Sequence, residues 1–233
     1  SSPQPSQAGD SPAKARVGGE ATSSGEARRP ETGAVLVEIV EEYVPTDRQW
    51  PKMTGPVTET YEESAFGIFH VPWRYTSTGV RDDRGNPFFL RATANVALPK
   101  GTWRLLVRSR SAVRVSIDGE RVASLPFAKP MGDGHNPLIK PVLRLGTTRY
   151  VAPGDQEKIV EFVSSGKPSR VVLEAVIGGM DGKRRLRPET GETLIAAAPQ
   201  GSDEFVLLSP QRRVPLTNPG WEAYAAERRA RYT

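Results

Sequence analysis

The sequence contains no cysteine and only two histidines in 233 residues. The first absence excludes disulfides, zinc held by thiolates and a thiol nucleophile, while leaving reducing and oxidising compartments equally open. The second leaves His70 and His135 as the only imidazoles. No Gly-x-Ser-x-Gly elbow occurs, and Gly166-Lys167 lacks the glycine five residues ahead that a phosphate-cradling loop needs. The adjacent carboxylates Glu41-Glu42 and Glu62-Glu63 fall in strand-like stretches, where neighbours point to opposite faces, so neither pair converges on one bond. Catalysis is therefore poorly supplied, and the chain is expected not to be an enzyme. No apolar run approaches the ~20 residues of a membrane-spanning helix. Ser1 opens the chain with no charged-then-apolar leader behind it, so the sequence is expected to be processed or excised from a longer one.

What is present is an alternation. Phe88, Leu90, Ala92, Ala94, Val96 and Leu98 interleave with Phe89, Arg91, Thr93, Asn95 and Ala97, the period of two expected when one sheet face is dry and the other wet. Leu98-Pro99-Lys100-Gly101 suits a tight turn. Trp103, Leu105 and Val107 then share a face opposite Arg104 and Arg108, and Val113, Val115 and Ile117 run into Asp118-Gly119, a pair able to take positive φ in a two-residue hairpin. The stretch from Phe88 to Leu125 is expected to be a three-strand meander closed by that hairpin, with Val122 facing Val115.

Around it, residues 1–33 are rich in Ser, Pro, Gly, Ala and charge without apolar periodicity, the composition of a disordered linker. Order is expected from Ala34, where Val35, Val37, Ile39 and Tyr43 mark a first strand, with Trp50 and Met53 covering a core edge. Phe66, Ile68 and Val71 suggest a short strand, and Arg81 to Pro87 a turn-forming loop. Leu138 to Leu145, Ile159 to Val163 and Val171 to Ile177 are further strands; Asp181-Gly182 suits a hairpin; Leu194 to Ala197 and Phe205 to Leu208 make a last pair. Asn218 as cap and Pro219 at the first helical position start a helix through Tyr232, with Trp221, Tyr224, Ala225 and Arg228 on one stripe. The expected architecture is all-β, an antiparallel β-sandwich or barrel over 34–217, with a C-terminal helix at 218–233 leading out of the domain.

The net charge of +5 is concentrated. Between Phe88 and Leu125 seven basic residues, among them Arg91, Arg104, Arg108 and Arg114, face only Asp118 and Glu120, which accounts for all of it. Such a face could attract an anionic polysaccharide, a nucleic acid or lipid headgroups, or be the solvated strand face of a chain with 24 Arg to 8 Lys. The aromatic interleaving that stacks bases is missing there, which weighs against nucleic acid. The loop Pro126 to Pro137 is too rich in Pro and Gly for regular structure. It carries Phe127, Asp133, His135 and Asn136, and loops on a rigid sheet scaffold are where binding residues concentrate. His70, among Val71 and Trp73, reads as structural; His135 in its Gly-flanked loop is the better functional candidate.

Leu98-Pro99-Lys100-Gly101-Thr102-Trp103-Arg104-Leu105-Leu106-Val107 and Val113-Arg114-Val115-Ser116-Ile117-Asp118-Gly119-Glu120-Arg121-Val122 resemble the two signature strands of the anthrax protective-antigen type domain. Gly132 to His135 falls where that family often has a Gly/His loop, and Gly166-Lys167 before Arg170 to Val176 is similar to the glycine ahead of its later strand. The resemblance spans Phe66 to Leu208. It implies a β-sandwich of the kind found in bacterial toxins, glycosidases, adhesins and flocculins. Sugar-binding members hold calcium on two adjacent aspartates between those strands, whereas this chain has Ser109-Arg110-Ser111, so the resemblance implies that this calcium site is absent. If calcium binds nonetheless, Asp82, Asp83, Asp133 and Asn136 are the loop oxygens to hold it. No other cofactor is implied. The run from Phe205 to Trp221 also looks like a junction in large exported bacterial proteins, which implies a periplasmic or cell-surface location.

These readings lead to a non-catalytic accessory module of an exported protein that binds a glycan, neutral or anionic, through loops at one end of the sandwich. The alternative is a structural module whose partners are neighbouring protein domains and whose terminal helix docks on them.

Overall fold

The computed structural model describes residues 33–127 and 155–232. Fifteen strands and one helix follow in chain order: β1 (Val35–Val40), β2 (Glu59–Glu63), β3 (Gly67–Ile68), β4 (Arg74–Tyr75), β5 (Arg81–Asp82), β6 (Phe88–Val96), β7 (Gly101–Ser109), β8 (Ala112–Ile117), β9 (Glu120–Leu125), β10 (Gln156–Ser164), β11 (Ser169–Ile177), β12 (Gly179–Asp181), β13 (Arg184–Leu186), β14 (Thr193–Pro199), β15 (Val206–Leu207) and α1 (Asn218–Tyr232). They form an antiparallel β-sandwich. One sheet has the order β2-β1-β6-β11-β8-β9; the other runs β10-β7-β14-β15 with β3 joining β14. The hairpins β4-β5 and β12-β13 stand apart as small sheets.

Alternation sets what is dry. Ile39, Leu90, Ala175, Val113 and Leu125 lie on one rung across the first sheet, and all are buried in the layer between the sheets with Leu105 and Val107 of the second. Each large aliphatic side chain so placed contributes roughly 1.5–3 kcal/mol. The next rung outward is charged: Glu38, Arg91, Glu174 and Arg114 lie side by side on β1, β6, β11 and β8, with signs alternating across the strands. Opposite charges directly across a ladder stabilise the register they occupy.

The expected meander is not one. β6 and β7 lie in different sheets, and β7 and β8 do too, so the chain crosses the sandwich at Ala97–Lys100 and again at Arg110–Ser111. A period of two specifies which residues face the core but not which strand is the neighbour, and the inner faces of β6 and β7 meet across the core instead of along an edge. The Asp118-Gly119 turn is present with φ of 51° and 85°. Val115 pairs with Ala123, however, and a bulge between Val115 and Ser116 displaces Val122 from the place expected for it. Tyr43, expected in the first strand, lies beyond its end at Val40, and Met53, expected on a core edge, is 73% exposed, while Trp50 does cover the outer face of the first sheet beside Phe89 and Val176. The expected strand at Leu138–Leu145 lies outside the described residues.

The helix does not run clear of the sandwich. Its stripe of Trp221, Tyr224 and Ala225 is buried, Trp221 and Tyr224 packing with Leu106, Leu194 and Leu207 on the outer side of the second sheet. Arg228, one turn on, reaches the buried carboxylate of Glu63 on β2 and donates to the Glu62 carbonyl at 2.9 Å. Thr217, not Asn218, supplies the cap: its Oγ1 accepts from the Gly220 amide at 3.1 Å. No helix among the described residues is long and apolar enough to cross a membrane.

Candidate functional site

Strand pairing fixes which loops meet. Val40 pairs with Phe89, Phe89 with Val176, and Val176 with Ala112, so the segments leaving β1, β6, β11 and β8 emerge at one end of the first sheet. Ser109, joined to Ala112 by two residues, brings the end of β7 to the same place, with Gln156 opposite it on β10. Both detached hairpins rise from this end, and a cleft of about 740 Å³ opens between β4-β5 and the segment from Arg185 to Thr190.

The first wall is tied down by arginines. Glu41, just beyond β1 and nearly buried, accepts from the Gly85 amide at 2.6 Å and from Arg74 Nη1 at 2.9 Å. Arg74 Nη2 donates to Asp82 Oδ2 at 2.9 Å and to the Asp83 carbonyl at 2.6 Å, which closes the hairpin on itself. Arg84 Nη2 donates to Glu59 at 2.5 Å and to the Pro72 carbonyl at 2.7 Å. In the second wall, one side chain bridges both strands of the β12-β13 hairpin. Asn86 donates through Nδ2 to the Leu186 carbonyl at 2.9 Å and accepts through Oδ1 from the Gly179 amide at 2.7 Å.

Between the walls sits Trp73, 37% exposed, with the Arg81 guanidinium 3.0 Å from its ring centroid and the His70 imidazole 4.5 Å away at 73°. Burial lowers the His70 pKa and the positive charges of Arg81, Arg229 and Arg84 lower it further, against a hydrogen bond with the Val71 backbone that raises it. Burial therefore favours the neutral imidazole, which uses one ring position on the Val71 backbone and keeps the other for a hydroxyl group. Arg185 lines the opposite wall, and no carboxylate pairs with it among the described residues.

Of the residues singled out from the sequence, Asp82, Asp83 and Phe127 come to this end. Phe127 packs 6.1 Å from Trp50 and under Arg48, beside a smaller cavity of about 420 Å³. Asp133, His135 and Asn136 lie outside the described residues. The four arginines do not form a shared face. Arg91 and Arg114 are on the outside of the first sheet, Arg91 between Glu38 (3.8 Å) and Glu174 (3.5 Å), and Arg114 over the Trp50 ring at 3.9 Å, where burial and then Arg121 lower its pKa. Arg104 and Arg108 belong to the second sheet, Arg104 held by Asp203 at 2.9 Å and Arg108 fully buried between Glu157 and Glu192. Their charge is used inside the protein. Asp82, proposed for calcium with Asp83, has its carboxylate on Arg74, and no three His, Asp or Glu side chains among the described residues are grouped to hold a metal ion.

No protein-family model and no curated protein matches the sequence. Solved structures of similar shape include the PA14 domain of the MpAFP antifreeze protein, at TM-score 0.49 and 10% identity over 80% of this chain and 94% of that one. Another is a PA14 sugar-binding domain from an RTX adhesin, at 0.46 and 12% over 77% and 97%. A third is the A domain of epithelial adhesin 9 from Candida glabrata, in complex with Galb1-3GlcNAc, at 0.40 and 10% over 78% and 95%. Likeness at this level leaves the ligand of the cleft to its own residues.

Those residues were visible one by one in the sequence but not as a group. Trp73 follows Val71-Pro72 in a stretch too short to bury a tryptophan, and Arg184, Arg185 and Arg187 form a basic run with Lys183. A proline-flanked tryptophan and a basic hairpin tip are the signals that could have pointed to this cleft.

Proposed function

We propose that the cleft is a carbohydrate-recognition site and that the chain is a non-catalytic module of the protective-antigen type within an exported protein, periplasmic or at the cell surface. The carrying observation is the grouping of a part-exposed Trp73, the Arg81 guanidinium over its ring and the neutral His70 in one open cleft. Sugars present apolar C–H faces and rings of hydroxyls. An indole meets the first, and planar guanidinium and imidazole groups meet the second. Binding, not turnover, suits the charge arrangement. Arginine does not transfer protons at physiological pH, and the Asp82 carboxylate is neutralised by Arg74. The Asp118-Gly119 hairpin with its positive φ values supports the protective-antigen reading.

Calorimetry against a panel of neutral and acidic oligosaccharides tests this. Binding that falls at least ten-fold in Trp73→Ala, with the fold retained by circular dichroism, is the expected result; no binding to any glycan overturns it. The alternative of an assembly module loses α1 as its docking element, because the apolar stripe of that helix is covered by the chain's own second sheet.

A further inference from the structure

Four of the five residues from Lys183 to Arg187 are cationic, at and beyond the turn of the β12-β13 hairpin whose far strand walls the cleft. Lys183, Arg184, Arg185 and Arg187 are all exposed. Arg187 leans on Glu189 at 3.6 Å, a carboxylate that Arg110 already engages at 2.9 Å. Lys183, Arg184 and Arg185 have no acidic partner among the described residues, and Asp181, the nearest carboxylate in sequence, is turned to Arg48 at 3.2 Å. Across the cleft Arg81 likewise has no carboxylate partner, its guanidinium lying over Trp73. The arginines at 91, 104 and 108 each have a carboxylate, whereas Lys183, Arg184 and Arg185 are left to solvent on one wall and Arg81, on the other, has only the aromatic ring.

We infer that the ligand is a linear acidic polysaccharide, carrying carboxylates or sulfates, that seats one sugar on Trp73 and runs along the Lys183–Arg187 hairpin. This rests on the carbohydrate reading of the cleft. Sugar hydroxyls select this class over nucleic acid: Asp82, Asp83 and Glu189 line the same cleft and accept hydrogen bonds from them, and Trp73 is a single part-exposed stacking platform where an unpaired nucleic acid uses several. A guanidinium on the opposite wall, Arg185, takes a carboxylate or sulfate in bidentate fashion. The further cations extend the track beyond one sugar, so affinity grows with chain length and falls with salt.

The probes are a galacturonic acid hexamer, the same hexamer after carboxyl reduction to the neutral sugar, and a DNA duplex of matched charge. Each is titrated into the wild-type chain, Trp73→Ala and the double variant Lys183→Gln/Arg184→Gln, whose side chains make no described contact and leave the fold intact. Expected is preference for the acidic hexamer over its reduced form, lost in Trp73→Ala. In the double variant its affinity falls roughly three- to ten-fold with a shallower salt dependence, while the reduced form is unaffected. Equal binding of both hexamers, or an unchanged salt dependence in the double variant, overturns the inference and leaves the carbohydrate reading standing. Binding of neither hexamer overturns the inference, and the carbohydrate reading falls with it where the whole oligosaccharide panel also fails to bind. DNA bound as tightly and without regard to Trp73 overturns the inference in favour of unselective charge attraction.

Discussion

Arg108 on β7 donates twice to one oxygen of Glu157 on β10, from Nη2 at 2.7 Å and Nε at 3.2 Å, with both side chains almost wholly excluded from solvent. Its third contact, Nη1 to Glu192 at 2.8 Å, makes it the buried joint of the second sheet. Removing one member of such a set leaves a desolvated charge uncompensated. Arg108→Ala is expected to lower unfolding free energy in urea by about 3–5 kcal/mol. Arg212→Ala, which breaks an exposed pair with Glu227, is expected to cost less than about 1 kcal/mol. Similar losses in the two variants would contradict this assignment.

Arg108 also shows where the sequence stops being informative. Its alternation with Leu105 and Val107 correctly places it on the outer side of its strand, and outer sides are ordinarily wet. Its partners stand 49 and 84 residues away, and nothing local announces them. The same division runs through the fold. The Asp118-Gly119 reversal, the inward faces of β6 and β11 and the buried stripe of α1 are local patterns and were legible. That β6 and β7 belong to opposite sheets, or that α1 folds back through Arg228 onto Glu63, is decided by long-range packing. The cleft is the extreme case, since Trp73, Arg81 and Arg185 come from three segments that the Asn86 side chain helps to bring together.

Because Trp221 and Tyr224 are packed on the second sheet, deletion after Thr217 is expected to destabilise the domain itself. It strips the cover from Leu106, Leu194 and Leu207 and leaves Glu63 buried without Arg228. Tyr224→Phe is a milder probe. The hydroxyl donates to the Gly67 carbonyl at 2.9 Å, and its loss is expected to cost about 1 kcal/mol. A truncated chain that unfolds at the same urea concentration as the full one would show that the helix adds nothing to the sandwich.

His70 predicts a pH dependence with a definite sign. Its pKa in the folded state is lowered, first by burial and then by Arg81, Arg229 and Arg84, from an unfolded value near 6.5. Between those values the unfolded chain binds more protons, so stability rises with pH. The contribution is complete above about 6.5 and is lost as pH falls towards the lower folded value. The imidazole signals should titrate with a midpoint below 6.5, and His70→Gln should flatten the stability profile in that window. A midpoint above 6.5 would mean that the proton is welcomed in the cleft, not excluded from it.

Gly178 controls how the second wall of the cleft is hung. Its φ is 85°, a backbone region where a side chain is strained, and a Cβ built there overlaps Asn86 Oδ1 and lies 3.3 Å from the Pro188 backbone. Asn86 cannot yield without giving up the Gly179 amide or the Leu186 carbonyl, the two bonds that set β12-β13 against β6. Gly182, at the tip of the same hairpin, has φ of 58° with nothing within 4 Å, so it carries the conformational demand without the crowding. Asparagine adopts positive φ at little cost. Gly182→Asn is therefore expected to leave both stability and glycan binding nearly unchanged. Gly178→Asn is expected to lose about 2–4 kcal/mol, from strain together with a broken buried hydrogen bond, and to weaken binding in the cleft more than ten-fold even where the domain remains folded. Equal behaviour of the two variants in urea unfolding and in calorimetry would mean that backbone conformation alone sets the wall, and that the Asn86 bridge has no part in holding Arg185 opposite Trp73.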